Sequence, residues 1–549
     1  MLRFSSFLFS HTLLYLHNVP ALQALIPFTG GILLGAFCPS IPLYGIVGAM
    51  SAACIALVVS LLFPSVRRLW TAYLARPAGW VILLSGGYLL TVGVGERLTP
   101  ARPEPFYPTQ LGIVPTQGAQ QRGAPTASPA SPSAYVPSDN SVAGGGGYRF
   151  KASIVSGQGL SADWMGRRVL VYTPAGTELP RPGRLYRLSG VSLRPLQAVR
   201  DAGYRRYLCA QGVSGVAYLQ SAGALVATDE SPGRMSLSLR LAAWAYRVQQ
   251  RLASTLDRVP NLTADERSMI RAITLGDKHS VAGVQEQFRR VGLAHLLSVS
   301  GFHVGIIYLL LLFLAKPLGR WAPLLVLPGV WAFAFISGLS VPTQRAAVMI
   351  TFYLSAHLLN RPAHPVNILS VCALFLLISN PFTLFDAGFG LSFAGVLSIL
   401  WFMPLLDSLV PGLKQPLLRS LWGAMAVCLA AQPLVFPLVM HYFGSTALFL
   451  LWSNVPIGLL AGVSIPVYLA YMTLSALGAH SLILAGAVRR LAEWSSDLLA
   501  FADTYYSRQL TGQPEGWVWI LYFLLLWAGT LFVYYRRTHR SAPATLSAH

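Results

Sequence analysis

The chain alternates between long apolar segments and one extended polar insert. Runs such as Ile306–Ala315 and Leu521–Val533 contain no charged residue. An apolar helix of about 20 residues spans the roughly 30 Å hydrocarbon core of a bilayer, so such segments predict membrane-spanning helices. We expect Pro456 and Pro466 to divide the longest stretch into two spans or a re-entrant pair. The predicted spans are residues 21–38, 41–63, 80–95, 291–314, 322–339, 344–359, 364–379, 388–407, 420–441, 445–488 and 516–535.

The polar insert divides into a linker, a β-rich region and connecting helices. Residues 99–147 are rich in Pro, Ser, Thr, Gln and Gly, a composition that predicts a disordered linker. Residues 148–228 contain short β-rich runs separated by turn signals, which predicts a small β-barrel such as an OB-fold. Residues 229–290 predict amphipathic and connecting helices, whose basic face suits lipid headgroups or, alternatively, nucleic acid.

These elements define the predicted fold class, a polytopic α-helical membrane protein with about 11–12 spans and an inserted OB-like β-domain. The predicted order is N-terminal transmembrane helices (1–98), linker (99–147), β-domain (148–228), connecting helices (229–290), a second transmembrane domain (291–535) and a tail (536–549).

Composition agrees with a membrane protein and adds a strong positive charge. Hydrophobic residues make up 54% and charged residues 11%, against roughly 25% charged residues in ordinary soluble domains. The chain has 40 Lys and Arg residues against 19 Asp and Glu residues, a net charge of +21. Much of this excess lies in the polar insert, which indicates a polyanionic partner. Cys209 is the only cysteine of the β-rich region and no C-x-x-C spacing occurs, so no metal or cofactor is expected.

Basic residues near the predicted spans indicate an orientation. Arg67 and Arg68 follow the second span, and Arg536 and Arg537 follow the last one. Because short cytoplasmic segments carry an excess of Lys and Arg, this pattern predicts cytoplasmic N- and C-termini. The β-domain is then periplasmic, and the protein lies in a bacterial inner membrane.

The stretch Gly292–Gly305 places polar side chains inside a predicted span. Polar and ionisable groups are costly in hydrocarbon unless they face a cavity or a partner, so we expect them to share one helix face and line a hydrated path. Close helix packing is the alternative for the serines and glycines, and an ion pair with Asp277 or Asp386 is the alternative for Arg345. The predicted lining residues are His295, Ser298, Ser300, Gly301, His303, Arg345 and Gln432.

Several short motifs occur in an order that resembles the ComEC competence-protein family. They are Ala272–Asp277, Gly292–Gly305, Pro342–Met349, Asn380–Pro381 with Asp386–Phe393, Gln432–Pro433 and Asn454–Pro456. Gly390 stands where the family more often has Gln. The resemblance covers roughly residues 20 to 535. Many members also carry a metallo-β-lactamase-like domain with an H-x-H-x-D-H motif; that spacing is not found here, so the resemblance is to a form without it.

The resemblance implies an inner-membrane channel that imports single-stranded DNA during natural transformation. It also implies a periplasmic DNA receptor and a cytoplasmic helicase-like ATPase as partners, besides membrane lipids, and leaves a homo-oligomer open. No Walker motif is present, so we expect neither ATPase nor nuclease activity. A transporter of a small anionic solute and an envelope-assembly protein with a ligand-binding β-domain are the alternatives.

Basic and aromatic side chains interleave in the β-domain, a pattern with which OB-folds hold single strands. Docking on acidic headgroups, with the aromatic rings in the core, is the alternative. Asp277, Asp386 and Asn454 are predicted to be structural polar residues, as ion-pair partners, helix N-caps or partners of broken helix ends. The predicted DNA-binding residues are Arg149, Lys151, Arg167, Arg168, Arg184, Tyr186, Arg187, Arg205 and Arg206.

Overall fold

The structure is a computed structural model. It describes residues 20–37, 46, 50, 75–99, 108, 110–116, 120–121, 147–158, 160–178, 180–199, 201–228, 237–277, 282–361, 364–410, 415–512 and 514–540. The span predicted over 41–63, most of the predicted linker and the last residues of the predicted tail lie outside the described residues.

Helices form most of the described chain. Their bounds are α1 (Pro20–Phe37), α2 (Ala75–Leu98), α3 (Ala202–Ala210), α4 (Leu237–Ser254), α5 (Ala264–Leu275), α6 (Ala282–Arg290), α7 (Gly301–Leu314), α8 (Ala322–Ile336), α9 (Val341–Leu358), α10 (Pro365–Ser379), α11 (Ala387–Leu409), α12 (Pro416–Phe443), α13 (Leu450–Ala476), α14 (Leu482–Tyr506) and α15 (Gly516–Arg540).

Apolar helices make this a polytopic membrane protein. Within the described part of the chain, five segments are long and apolar enough to cross a bilayer: Trp80–Leu98, Lys316–Ile336, Ala387–Leu409, Pro416–Phe443 and Leu450–Ala476. Shorter apolar helices cover Ala21–Phe37, Gly301–Leu314, Pro365–Ser379 and Gly516–Thr530. The connecting helix α4 leaves the apolar side chains of Leu237, Leu241 and Trp244 exposed, as its amphipathic pattern predicts.

The division of residues 445–488 into two spans is wrong. Helix α13 continues through Pro456 and Pro466 as one helix of 27 residues. A proline inside a transmembrane helix is tolerated where neighbouring groups satisfy the freed backbone carbonyls. Strand β9 (Ser445–Ala447) precedes this helix and pairs antiparallel with strand β10 (Gln509–Thr511).

The polar insert folds as a curled half-barrel of eight strands. The strands are β1 (Gln110–Pro115), β2 (Gln120–Gln121), β3 (Tyr148–Gln158), β4 (Arg168–Tyr172), β5 (Leu185–Ser189), β6 (Val191–Pro195), β7 (Gly215–Leu219) and β8 (Leu225–Thr228). Their order is β6-β7-β4-β3-β1-β5-β8, with β2 on β3; β4 and β7 are parallel, and the other pairs are antiparallel. The closed barrel that the sequence suggests is thus an open sheet.

Strand β1 corrects the predicted linker. It lies within residues 99–147, yet it is a central strand that pairs with both β3 and β5. Leu111, Ile113 and Val114 are fully buried, which provides the apolar burial that orders a strand in a polar segment. The β-domain therefore begins at least at Gln110 rather than at residue 148.

The sheet buries both of its faces. Alternate residues of a strand point to opposite faces, so Phe150, Ala152 and Ile154 of β3 fill the concave core. On the convex face, Leu170 and Tyr172 of β4 pack in one cluster with helix α3 and with Phe382 of the transmembrane region. This second layer joins the β-domain to the membrane helices.

Candidate functional site

The β-domain meets the transmembrane helices at the loop between α10 and α11. Asn380 donates from Nδ2 to the carbonyls of Cys209 and Ala210, both at 3.0 Å. These carbonyls lie at the end of α3, in the last turn, whose carbonyls lack the usual helical partners; the carbonyl of Cys209 also accepts from the N–H of Gly212 at 2.9 Å. Phe382, only 8% exposed, packs in the same cluster as Leu208. Asn380 thus caps a helix of the β-domain from within the transmembrane region.

A hydrogen-bonded relay connects the same loop to strand β3. Asp386 accepts from the N–H of Gly388 at 2.7 Å and so caps helix α11. Its second oxygen accepts from Gln211 Nε2 at 3.0 Å, and Gln211 Oε1 accepts from Lys151 Nζ at 2.6 Å. Lys151 of the sheet is thereby linked through Gln211 to the first turn of a membrane-spanning helix.

Positive charge dominates around this relay. Arg149 and Lys151 point to the same face of β3, and Arg168 begins the neighbouring strand β4. Burial lowers the pKa of Lys151 to about 8, the charge of Arg168 and more weakly that of Arg149 act in the same direction, and Asp386 opposes them. We call Arg149, Lys151 and Arg168, with Gln211 and Asp386, the junction cluster. It contains three cations and one carboxylate.

Aromatic side chains adjoin the junction cluster. Arg149 lies beside the side chains of Tyr172, Tyr204 and Tyr207. The hydroxyls of Tyr172 and Tyr204 are 3.0 Å apart, and both side chains are at most 5% exposed. Their rings are part of the packing between sheet and helix, so they fix the position of Arg149 and do not offer a free stacking surface.

The rest of the predicted DNA-binding set lies outside the junction cluster. Tyr186 is 2% exposed in the concave core, and its hydroxyl accepts from the N–H of Arg181, so a stacking role for Tyr186 is wrong. Arg206 lies over the rings of Phe37 and Phe385, at 4.5 and 5.4 Å from the ring centres. Arg184, Arg187 and Arg205 are exposed, and Arg167 donates to the backbone carbonyls of Asp163 and Arg97.

The signature at Gly292–Gly305 adopts a different form from the predicted span. Residues 291–300 form turns, and α7 begins at Gly301, so the prediction that His295, Ser298 and Ser300 share one helix face is wrong. The backbone N–H of Ser300 donates to His303 Nδ1 at 3.2 Å, and the side chain of His303 is 1% exposed. This histidine caps a helix, whereas His295 is exposed and Ser298 is half-buried.

The loop before α7 is fixed to the start of α9. The hydroxyls of Ser340 and Thr343 donate to the carbonyl of Val299 at 3.2 and 3.3 Å. A Cβ on Gly301 would lie 3.8 Å from the Cβ of Ala346. The N-terminal ends of α7 and α9 are therefore neighbours.

Arg345 lies in α9 with its side chain only 3% exposed. Its Nε and Nη1 atoms have no hydrogen-bond partner in the described part of the chain. An ideal Cβ on Gly388 would stand 3.4 Å from Arg345 Nη2 and 2.9 Å from Asp386 Oδ1, so the guanidinium lies against the first turn of α11. The described residues contain no ion pair of Arg345 with Asp386 or Asp277, the predicted alternative.

Gln432 lies in α12, beside the two prolines inside this helix, Pro433 and Pro437. It lines a cavity of about 340 Å³ together with Cys428, Thr446 and Tyr522. The hydroxyl of Tyr522 donates to the carbonyl of Pro433 at 3.1 Å. This carbonyl has no helical partner because residue 437 is a proline without an N–H. The sequence pattern around Gln432 gave no signal for the role of Tyr522.

Two predicted structural residues remain. The sequence predicts Asn454 of α13 to be a hydrogen-bond partner of a broken helix end. Its side-chain oxygen is instead buried without a hydrogen-bond partner among the described residues. Asp277 follows the C-terminal end of α5, where Gly276 adopts a left-handed φ of 72°.

Comparison with known proteins places the transmembrane part in context. Residues 273–537 match a family model described as Competence protein. ComE operon protein 3 of Bacillus subtilis is 30% identical over 186 residues, which cover 33% of this chain and 23% of that protein. Competence protein ComA of Neisseria gonorrhoeae is 31% identical over 195 residues, or 32% of this chain and 28% of that protein.

The chain thus matches about a quarter of the length of these curated relatives. No solved structure matches it. The matched segment contains α7 to α13, the Asn380 loop and Asp386. In this segment the chain is thus similar to the Competence protein family, as its motifs predicted.

Proposed function

We propose that this protein conducts single-stranded DNA across the inner membrane during competence, and that the strand passes the junction cluster on its way. The observation that supports this proposal is the excess of cations at the place where the β-domain joins the transmembrane helices. Arg149 and Arg168 lie close to Lys151, which is linked through Gln211 to Asp386. A polyanion that moves from the sheet towards the membrane has to pass close to such a position.

The electrostatics of Lys151 favour an anionic ligand. Burial and two neighbouring arginines lower the pKa of its ammonium to about 8, so the charged form is poorly compensated in the free protein. A phosphate oxygen that approaches the ammonium supplies the missing negative charge and forms a charge-assisted hydrogen bond. Such a site binds each phosphate through electrostatics alone, which suits a strand of any sequence.

The similarity to the Competence protein family and the division into a β-domain and transmembrane helices suggest the arrangement of the path that the DNA follows. In this proposal the β-domain faces the periplasm and receives one strand, and the transmembrane helices carry it inward. The lining by His295, Ser298, Ser300, Gly301 and Gln432 stays part of the proposal. A periplasmic receptor and a cytoplasmic helicase-like ATPase deliver and pull the strand, because translocation requires an energy source.

A transporter of a small anionic solute would use the same cations differently. A solute with one phosphate gains one contact, whereas a strand gains contacts along its length. We therefore expect the affinity for oligothymidylate to rise with its length up to the span of the site. An affinity that is independent of length would favour the solute transporter.

The salt dependence of binding tests the proposal. For single strands the slope of log K against log salt concentration is about −0.7 per neutralised phosphate. The variant Arg149→Met/Lys151→Met/Arg168→Met should therefore show a slope shallower by about 2 for a labelled oligothymidylate. Lys316→Met, which removes one exposed charge outside the β-domain, is the control and should keep the slope. Equal slopes for the triple variant and the wild type would refute the role of the junction cluster.

A further inference from the structure

The first observation is that Arg345 is a buried cation without a complete set of partners. Its side chain is 3% exposed, and Nε and Nη1 form no hydrogen bond with the described residues. Buried charges in folded proteins are normally paired, because the loss of hydration is costly. A guanidinium left in this state is therefore expected to serve a ligand.

Asp386 is near Arg345 but is already engaged. One carboxylate oxygen accepts from the N–H of Gly388 at 2.7 Å, and the other accepts from Gln211 at 3.0 Å. These bonds hold the carboxylate at the helix cap and in the relay to Lys151. The same geometry that builds the junction cluster leaves the guanidinium of Arg345 without a bidentate partner.

Gly388 provides the space at the guanidinium. A Cβ at this position would stand 3.4 and 3.6 Å from Arg345 Nη2 and Nη1. No side chain therefore separates the guanidinium from the backbone of the first turn of α11, a helix of 23 residues. In contrast, a Cβ on Gly390 would meet nothing within 4 Å.

Helix ends add positive potential around Arg345. It lies in the second turn of α9. The start of α7 is near because Gly301 adjoins Ala346, and the start of α11 is near because Gly388 adjoins Arg345. The N-terminus of each helix carries partial positive charge and favours anions. The guanidinium and these helix ends thus act in the same direction.

We propose that Arg345 and the N-terminal turn of α11 at Gly388 form a binding site for one phosphodiester group. The site prefers a monoanion to a dianion, because Asp386 places a negative charge beside it. This inference rests on the proposed function, in which the group belongs to the DNA backbone. It adds a second phosphate position, beyond Lys151 and inside the transmembrane domain.

Dimethyl phosphate, a monoanionic phosphodiester, is the probe. Full-length protein is purified in detergent as Lys151→Met, so that the junction cluster does not dominate, and thermal unfolding is followed as the probe is titrated. We expect a saturable rise in the unfolding temperature. Adding Arg345→Gln should raise the half-saturating concentration of dimethyl phosphate by roughly tenfold or more, because a charge-assisted hydrogen bond is lost.

The two glycines supply a matched pair of variants. Gly388→Ala places a methyl group 2.9 Å from Asp386 Oδ1 and 3.4 Å from Arg345 Nη2, so it narrows the site and should also weaken the effect of the probe. Gly390→Ala, whose methyl group meets nothing within 4 Å, should leave the effect unchanged. Both replace a half-buried glycine in the same helix, so their effects on helix propensity match. Inorganic phosphate at pH 8, mostly a dianion, should act more weakly than dimethyl phosphate.

Three results would overturn the inference: no saturable effect of dimethyl phosphate, the same effect with Arg345→Gln, or tighter binding of inorganic phosphate. None of them would alter the salt slope of oligonucleotide binding, which depends on Lys151 and its neighbours. Conversely, a wild-type salt slope in the triple variant would refute the role of the junction cluster. The result with dimethyl phosphate would still stand in that case. If Arg345→Gln fails to fold, the contrast between Gly388→Ala and Gly390→Ala decides.

Discussion

Replacement of Lys151 by Met should stabilise the protein and weaken its binding of DNA. The pKa of Lys151 falls from the usual 10.5 to about 8. At about 1.36 kcal/mol per pKa unit, a charged Lys151 costs the folded protein about 3 kcal/mol near neutral pH. Met occupies the space of the aliphatic part of the lysine side chain without this cost. It leaves Gln211 Oε1 without its donor, which costs about 1–2 kcal/mol. The expected net gain is about 1–2 kcal/mol at pH 7.

The sign of the pH dependence follows from the same shift. Below pH 8, Lys151 is charged in both the folded and the unfolded protein, and the folded state bears the full cost. Between about pH 8 and pH 10.5 the folded protein has lost the proton and the unfolded chain keeps it, so the cost disappears. The wild type should therefore gain stability relative to Lys151→Met as the pH rises through this window.

Two measurements on the purified protein check this prediction. Thermal unfolding at pH 7 and pH 10 gives the stability difference, and oligothymidylate binding at pH 7 gives the affinity. We expect the variant to bind at least roughly tenfold more weakly, because one charge-assisted hydrogen bond to the DNA is lost. Lys316→Met, at an exposed lysine, is the matched control and should change neither quantity. A variant that is less stable than the wild type at pH 7 would refute the reasoning.

Three further predictions concern the same contacts. Lys151→Arg should bind DNA with little change between pH 7 and pH 9, whereas wild-type affinity falls as Lys151 loses its proton around pH 8; parallel pH profiles would contradict this. Asn380→Ala removes the two donors to the end of α3 and should destabilise the junction by about 1–3 kcal/mol. Asn380→Asp, which sets a carboxylate against two carbonyls, should cost more, and limited proteolysis of the β-domain measures both; equal resistance to protease would show that the cap is unimportant. Tyr522→Phe leaves the carbonyl of Pro433 unpaired and should lower stability by about 1–3 kcal/mol in thermal unfolding; an unchanged unfolding temperature would count against this bond.

Much of the secondary structure could be predicted from the sequence, because local patterns encode it. The alternation along β3 already separates Arg149 and Lys151 from the core residues Phe150 and Ala152. Strand β1 could not be predicted, since its partners β3 and β5 lie far along the chain and its surroundings are rich in turn residues. The start of α7 at Gly301 was missed because an apolar sequence can also form buried turns.

The junction cluster depends on contacts that a single sequence does not reveal. Gln211 and Asp386 are 175 positions apart, and Asn380 is 171 positions from Cys209. The motifs that contain Asn380 and Asp386 were recognisable in the sequence. The role of these two residues as a cap and a relay for the β-domain was not. The cationic residues were predicted as one broad set, and only the fold selects Arg149, Lys151 and Arg168 from it.

The central claim is that DNA enters the cytoplasm past the junction cluster. The most direct test is natural transformation of a deletion strain complemented with the wild type, with Arg149→Met/Lys151→Met/Arg168→Met or with Lys316→Met. Labelled DNA is followed separately in the periplasm and the cytoplasm, with equal amounts of each protein in the membrane. The account predicts that the triple variant accumulates periplasmic DNA normally and fails to deliver it to the cytoplasm, while Lys316→Met delivers it as the wild type does. Normal delivery by the triple variant would contradict the account.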